Sequence, residues 1–375
     1  MNTTAPAEDI KIDKIEWKQL SSLAALYGSI VIGWIAYHNY QPKLLIQFNL
    51  MEFTYLLIIV QGIILIITPL IAGKIGDRFR FKAGHRMPII SSGISFAAMV
   101  FMAVAFTLFS NPGEVFRWIL PLLIVLWLVA MSIFTSPALS TLELFTPIDK
   151  LPRAMAILTI VANLIYSLEP VIVDLIDFVG APLTFMFGGI AVFVSGYALK
   201  KNSISLFKNN PAHPRAEFKL DTQRSNYSYI FFLGIVVGIP TTLLFNYFPD
   251  LLETNLSTLF KMEGKWLLVV ALFISAVLSL PVSNYVIKIG TVKSFWWSFL
   301  INSICLILVF VIGLPILTII AMFIFIVSFT VLSISSLPLA IERANYFEKV
   351  FCVGIFFSGM ALPDGIVETL QAMGH

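Results

Sequence analysis

Eleven long apolar segments, at residues 20–41, 53–73, 88–109, 118–142, 154–178, 181–200, 228–248, 264–287, 292–312, 315–337 and 349–370, leave this chain few ways to fold. A hydrocarbon core about 30 Å thick takes roughly 20 apolar residues per helical crossing, so each segment is predicted to span a bilayer. In lipid only helices and closed barrels satisfy the backbone, and long uninterrupted apolar runs, rather than short alternating ones, read as helices. The whole chain agrees, with 58% hydrophobic and 12% charged residues and a mean hydropathy of +0.92. The predicted fold class is therefore an all-α polytopic membrane protein.

Basic residues set the expected orientation. Of the 24 lysines and arginines, only Lys43, Arg117, Lys261 and Lys265 fall on one side, and all the others fall on the side of the N-terminus. The positive-inside bias then puts the N-terminus in the cytoplasm and, after an odd number of crossings, the C-terminus outside, with the cytoplasmic (inner) membrane as the expected location. No cleavable leader is expected, because residues 1–19 are polar and the first apolar segment is too long. Topology explains the net charge of +3, so no nucleic-acid partner is expected. Cys305 and Cys352 both lie in predicted spans, which argues against a disulfide or a metal site.

The only long hydrophilic interior stretch, 201–227, carries Pro211, His213 and Pro214. It divides the chain into a cytoplasmic segment 1–19, a six-helix unit 20–200, a linker 201–227 and a five-helix unit 228–375. The two units echo each other: Thr68-Pro69 matches Leu280-Pro281, and Glu169-Pro170 through Asp174 resembles Pro363-Asp364 through Glu368. Parallel transporter repeats show such echoes.

Between the second and third segments the chain reads Gly73-x-x-x-Asp77-Arg78, then Gly84-His85-Arg86-Met87-Pro88. This resembles the signature loop of the major facilitator superfamily. The spacing from Asp77-Arg78 to Gly84 and Pro88 is similar to that of the sucrose-type glycoside-pentoside-hexuronide:cation symporter group. Gly33-Trp34 with Pro42, Pro69, and Pro137-Ala138-Leu139 leading to Glu143, Pro147 and Arg153 agree with that group. The resemblance covers about residues 28–170 well. It implies a two-bundle transporter of twelve helices, of which this chain would carry six and five with the last missing, and a cytoplasmic latch that closes in the outward-facing state.

The residues support such a latch on physical grounds. A carboxylate at Asp77 can cap a neighbouring helix N-terminus, and the Arg78 guanidinium can reach Glu143 at the inner end of the fourth segment. Gly73 and Gly84 add close-packing demands, and Arg86 and Arg153 complete the expected gating network. Ionisable residues at membrane depth are costly and usually functional. Glu169 falls about 24 Å from Arg153 along the fifth segment, and Asp364 stands at a similar depth in the eleventh. They are coupling candidates for a proton or a sodium ion, together with Asp174 and His38, whose imidazole titrates in the right range. The opposing reading makes Glu169, Asp174 and Asp177 a wetted acidic end, and His38 an interfacial residue.

In the superfamily fold the first, fourth, seventh and tenth helices line a central cavity. Here they offer Trp34, Tyr37, Asn39, Thr135, Thr242, Asn246, Tyr247 and Ser333, with further hydroxyls at Ser29, Ser132, Ser136, Thr241, Ser328, Thr330 and Ser335. Many of these hydroxyls are expected to bond their own backbone. No lysine or arginine lies deep in those segments, which points to a neutral, hydroxyl-rich solute such as a sugar or glycoside. The fourth segment lacks the buried arginine of plant sucrose transporters, which points away from sucrose. No nucleotide-binding loop is present, and the loops are too short to gather catalytic groups, so the chain is expected to be a secondary transporter and not an enzyme. An exporter, a passive facilitator and a transporter-shaped sensor or scaffold remain the alternatives. The expected partners are the substrate and the lipid bilayer. A monomer is expected, with lipid or a second subunit covering the flank left by the missing helix, and no cofactor beyond the coupling ion.

Overall fold

The computed structural model describes residues 14–110, 113, 117–209, 225–257, 259, 261–312 and 314–373. Most of residues 1–19 and of the linker, with His213 and its prolines, lie outside the described residues. All regular structure among them is helical. Among the described residues ten helices are long and apolar enough to cross a membrane, and a bent pair, counted as one span, is an eleventh. We number the spans 1 (Trp17–Gln47), 2 (Thr54–Ala83), 3 (Met87–Ser110), 4 (Ile119–Leu139), 5 (Leu151–Ser167 with Glu169–Val179), 6 (Ala181–Asn209), 7 (Tyr227–Asn246), 8 (Gly264–Ile289), 9 (Thr291–Ile312), 10 (Pro315–Glu342) and 11 (Lys349–Met373). The chain is thus an integral membrane protein of the expected class.

Several boundaries differ from the sequence reading. Span 5 is not continuous: it bends by 61° between Ser167 and Glu169, because Pro170 has no N–H to give and its ring collides with the carbonyl four residues earlier. Span 7 stops at Asn246, and a short helix Phe248–Leu256 follows with Pro249 in its first turn. Span 2 runs on to Ala83, so the charged stretch 73–83 is helix and not loop; the connection is only Gly84 to Arg86. Gly84 ends the helix at φ +76°, a left-handed conformation that costs a residue with a Cβ atom. The first part of the 201–227 stretch is also helical, as span 6 continues to Asn209.

The breaks expose an echo that the sequence reading passed over. Asn39-Tyr40-Gln41-Pro42 in span 1 matches Asn246-Tyr247-Phe248-Pro249 at the end of span 7. With Pro69 and Pro281 in spans 2 and 8, Pro137 and Pro338 in spans 4 and 10, and Pro170 and Pro363 in spans 5 and 11, four pairs of spans six apart carry matched prolines.

Lipid-facing side chains stand out by exposure: Ile63, Ile67 and Ile71 form one bare apolar stripe on span 2, spaced at one helical turn. Between helices in lipid there is no hydrophobic gain from contact, so close approach of small residues carries the packing. Span 2 meets span 11 along its length, span 5 meets span 8, and spans 7 and 11 pack closely. A Cβ on Gly365 would lie 3.3 Å from the Gly62 Cα, and one on Gly359 3.3 Å from the Gly234 Cα.

Candidate functional site

The seam between spans 2 and 11 brings the first half of the chain against the second, and its end near Gly84 holds most of the buried charge. We call this the basic end and the opposite side the far end. Asp77 faces the start of span 11, where its two carboxylate oxygens accept from the backbone N–H groups of Val350 (3.1 Å) and Phe351 (2.8 Å). These are orphan donors of a helix N-terminus, and the positive end of the helix dipole favours the carboxylate. One turn later, Arg80 donates to the Tyr346 carbonyl at 2.8 Å and lies over that ring, 4.4 Å from its centroid.

A second junction crosses the same seam. Glu143 binds Arg86 through one oxygen and Lys349 through the other, the latter at 2.6 Å. Arg86 is fully buried, Glu143 is 6% exposed and Lys349 16%. Arg86 also donates to the Ser140 carbonyl (2.5 Å) and hydroxyl (3.0 Å), so it belongs rigidly to the first half. Lys349, at the first turn of span 11, is the piece contributed by the second half. Next to this junction His85 stacks on Phe207, and burial, with Lys208 nearby, holds its imidazole below the ordinary histidine range.

Gly73 lets the helices close to this distance. A Cβ there would stand 2.7 Å from the Phe351 Cα and from the Val350 carbonyl oxygen, both backbone atoms. Gly73→Ala is therefore expected to lever the basic ends of spans 2 and 11 apart. Spin labels at Lys82→Cys and Arg343→Cys, both exposed positions, would show a longer distance population; an unchanged distribution would mean that the seam yields elsewhere.

The expected pairing of Arg78 with Glu143 is not what the structure has. Arg78 is exposed and makes no ion pair with Glu143, whose partners are Arg86 and Lys349. Arg153 is likewise exposed. Arg80 and Lys349, absent from the sequence reading, take the inward places.

At the far half, Asp364 accepts from the Asn246 amide at 3.2 Å, with the buried Thr242 beside it. One coupling candidate thus meets two cavity candidates, at the point where span 7 ends. One turn on, Glu368 accepts from Gln61 Nε2 at 2.9 Å, and Gln61 Oε1 accepts from the Tyr37 hydroxyl at 2.7 Å. Tyr37 stacks flat on Trp127, with ring centroids 4.7 Å apart. Trp34 meets both rings edge-on and His38 stacks on Trp34. Glu169 opens the second piece of span 5, half-buried, and its carboxylate bonds no described side chain.

Other candidates sit elsewhere. Asn39 donates to Asp177 at 2.9 Å beside the exposed Lys43–Asp177 pair, so it belongs to the far surface and not to a cavity. Such an exposed ion pair contributes about 0–1 kcal/mol. Asp174 and Tyr247 are exposed. Thr135 bonds the Met131 carbonyl at 2.6 Å, and Ser29, Ser132, Thr241, Ser328, Thr330 and Ser335 also bond carbonyls three or four residues back. Ser333 is half-buried. On the other seam, Asn163 of span 5 donates to Ser275 of span 8 (2.9 Å), and Ser275 shares a 2.7 Å hydrogen bond with Thr330 of span 10. Among the described residues no group of three His, Cys, Asp or Glu side chains is arranged to hold a metal ion.

Residues 20–363 match the family model described as Major Facilitator Superfamily. No curated protein matches the chain. Among solved structures, the chain is similar to the human organic anion transporter MFSD10 (TETRAN), with a TM-score of 0.66 at 9% identity, covering 95% of this chain and 94% of that one. It is also similar to a bacterial homologue of the iron transporter ferroportin in an outward-facing state with soaked iron, with a TM-score of 0.66 at 15% identity, covering 96% and 92%. At such identities the likeness is one of fold.

Proposed function

Because the chain belongs to the major facilitator superfamily, and is therefore a membrane transporter and not an enzyme, we propose that it moves a small neutral, hydroxyl-rich solute by alternating access, coupled to a proton or sodium ion. The observation that carries this reading is the paired junction at the basic end, Asp77 on the start of span 11 and Glu143 between Arg86 and Lys349. Both junctions join the first half to the second, so both break if residues 20–200 and 228–375 rock apart about the linker. We place this end in the cytoplasm on the positive-inside bias.

The substrate class rests on charge. Arg80, Arg86 and Lys349 are all engaged at the basic end, and among the described residues no other buried lysine or arginine is left for an anionic substrate. The organic anion of one structural relative is thus less favoured here, and among the described residues no cluster of metal-ligating side chains supports the iron of the other. Sugar-like solutes suit the partly exposed Trp34 ring and Asn246 amide, whereas Tyr37 and Thr242 are buried in this state and Tyr37 stacks on Trp127. Coupling falls to Asp364 and Glu169, carboxylates in spans without a cationic partner.

The test is uptake into proteoliposomes under an imposed ion gradient. Glu169→Gln and Asp364→Asn are each expected to abolish gradient-driven accumulation while sparing exchange of labelled for unlabelled solute. Full accumulation by both variants would remove the coupling role.

A further inference from the structure

Gln61 and Glu368 tie the two halves at the other end of the seam. Gln61 stands 16 residues before Asp77 on the same helix, about 24 Å away along its axis. Its neighbour Gly62 touches Gly365, so the backbones of spans 2 and 11 meet directly beside the side-chain pair. Gln61 is 3% exposed. The Tyr37 hydroxyl, donating to Gln61 Oε1, fixes which way the carboxamide points, and Nε2 is left to face Glu368. From these contacts we infer that Tyr37, Gln61 and Glu368 form a proton-operated clasp on the far end, closed when Glu368 is neutral and opened when it ionises.

The groups around Glu368 decide the sign. On its own helix, Asp364 lies one turn earlier, a like charge on the same face. Span 1 contributes Tyr37 and span 2 the uncharged Gln61; span 7 contributes Asn246 and Thr242, both turned to Asp364. Span 5 brings Tyr166 within electrostatic range of Asp364. No ion pair among the described residues involves Glu368. Closing the seam removes water from an ionised carboxylate and returns a single amide hydrogen bond, a poor exchange next to a second carboxylate. With a proton on Glu368 the exchange is favourable, and a carbonyl oxygen of the acid still accepts from Gln61. This inference rests on the alternating-access reading.

Two label pairs separate its failure from the failure of that reading. In a Cys305→Ala, Cys352→Ala background, spin labels at Leu56→Cys and Leu370→Cys, exposed near the far ends of spans 2 and 11, report the clasp. Labels at Lys82→Cys and Arg343→Cys report the basic end. In liposomes, the open-to-closed ratio of the far pair is expected to rise between about pH 5.5 and about pH 8.5, by at most about tenfold per pH unit for one proton. Glu368→Gln keeps the acceptor without the charge and is expected to hold the far pair closed at every pH. Tyr37→Phe, which frees the Gln61 amide, is expected to raise the open fraction at low pH. A far pair that keeps its pH response in Glu368→Gln, or that never responds to pH while the basic pair changes distance, would overturn the clasp alone. Both pairs fixed under all conditions would overturn the clasp and alternating access together.

Discussion

Glu143→Gln is expected to cost this protein about 3–5 kcal/mol, because it strips the counter-charge from a buried arginine. Arg86 is fully enclosed and Lys349 nearly so; with Glu143 neutral, two cations face each other across a dry junction. A loss of that size is a large part of the stability of a folded domain, about 5–15 kcal/mol. It is read as a lower unfolding temperature in detergent and a smaller monodisperse fraction. Lys349→Met is the informative companion. It leaves the Arg86–Glu143 pair and the Ser140 bonds intact within the first half, so its effect is expected on the label distance at the basic end and much less on unfolding. If Glu143→Gln were as stable as the parent, Arg86 would have to find another anion, and the junction would not be the structural centre of that end.

Asp77→Ala is expected to open the basic end without unfolding the protein. The carboxylate satisfies two N–H groups at the start of span 11, and hydrogen bonds to a charged group contribute about 1.5–3 kcal/mol each. Taking about 3 kcal/mol in total, since neighbouring bonds do not add fully, the closed-to-open ratio falls roughly a hundredfold. The loss touches only contacts between the halves, so the helices keep their own packing. The Lys82 and Arg343 label pair should move from a short to a long distance. A closed fraction equal to the parent's would show that Glu143 with Lys349 and Arg80 with Tyr346 suffice, and that Asp77 is dispensable to the latch.

The spans were legible because lipid imposes a length and a composition that survive any tertiary detail. The latch was legible only as a neighbourhood. Asp77 and Arg80 are three residues apart and share a helix face, whereas Arg78 is turned about 100° from Asp77 and points outward. Once residues 73–83 are read as helix rather than loop, that choice follows; read as loop, the adjacent Asp77-Arg78 pair looks like the unit. Lys349 carried no local signal, since its partner Glu143 is reached only through the meeting of the halves. Glu368 was visible as the last residue of an echo, yet its partner Gln61 lies in another span with no motif around it. The breaks at Pro170 and Pro249 had a signal in the proline itself, but Pro42, Pro69 and Pro137 lie inside unbroken helices, so a proline alone does not tell a break from a continuous span.

The most direct test of transport uses purified protein in liposomes holding a pH-sensitive dye, challenged in turn with neutral sugars and glycosides, organic anions and ferrous iron, with and without a sodium gradient. A sugar or glycoside that drives proton entry, or that accumulates along the sodium gradient, and whose effect disappears in Asp364→Asn, is the expected result. Flux with an organic anion or iron alone would contradict the neutral substrate, and silence across the whole set from well-folded protein would contradict ion-coupled transport by this chain.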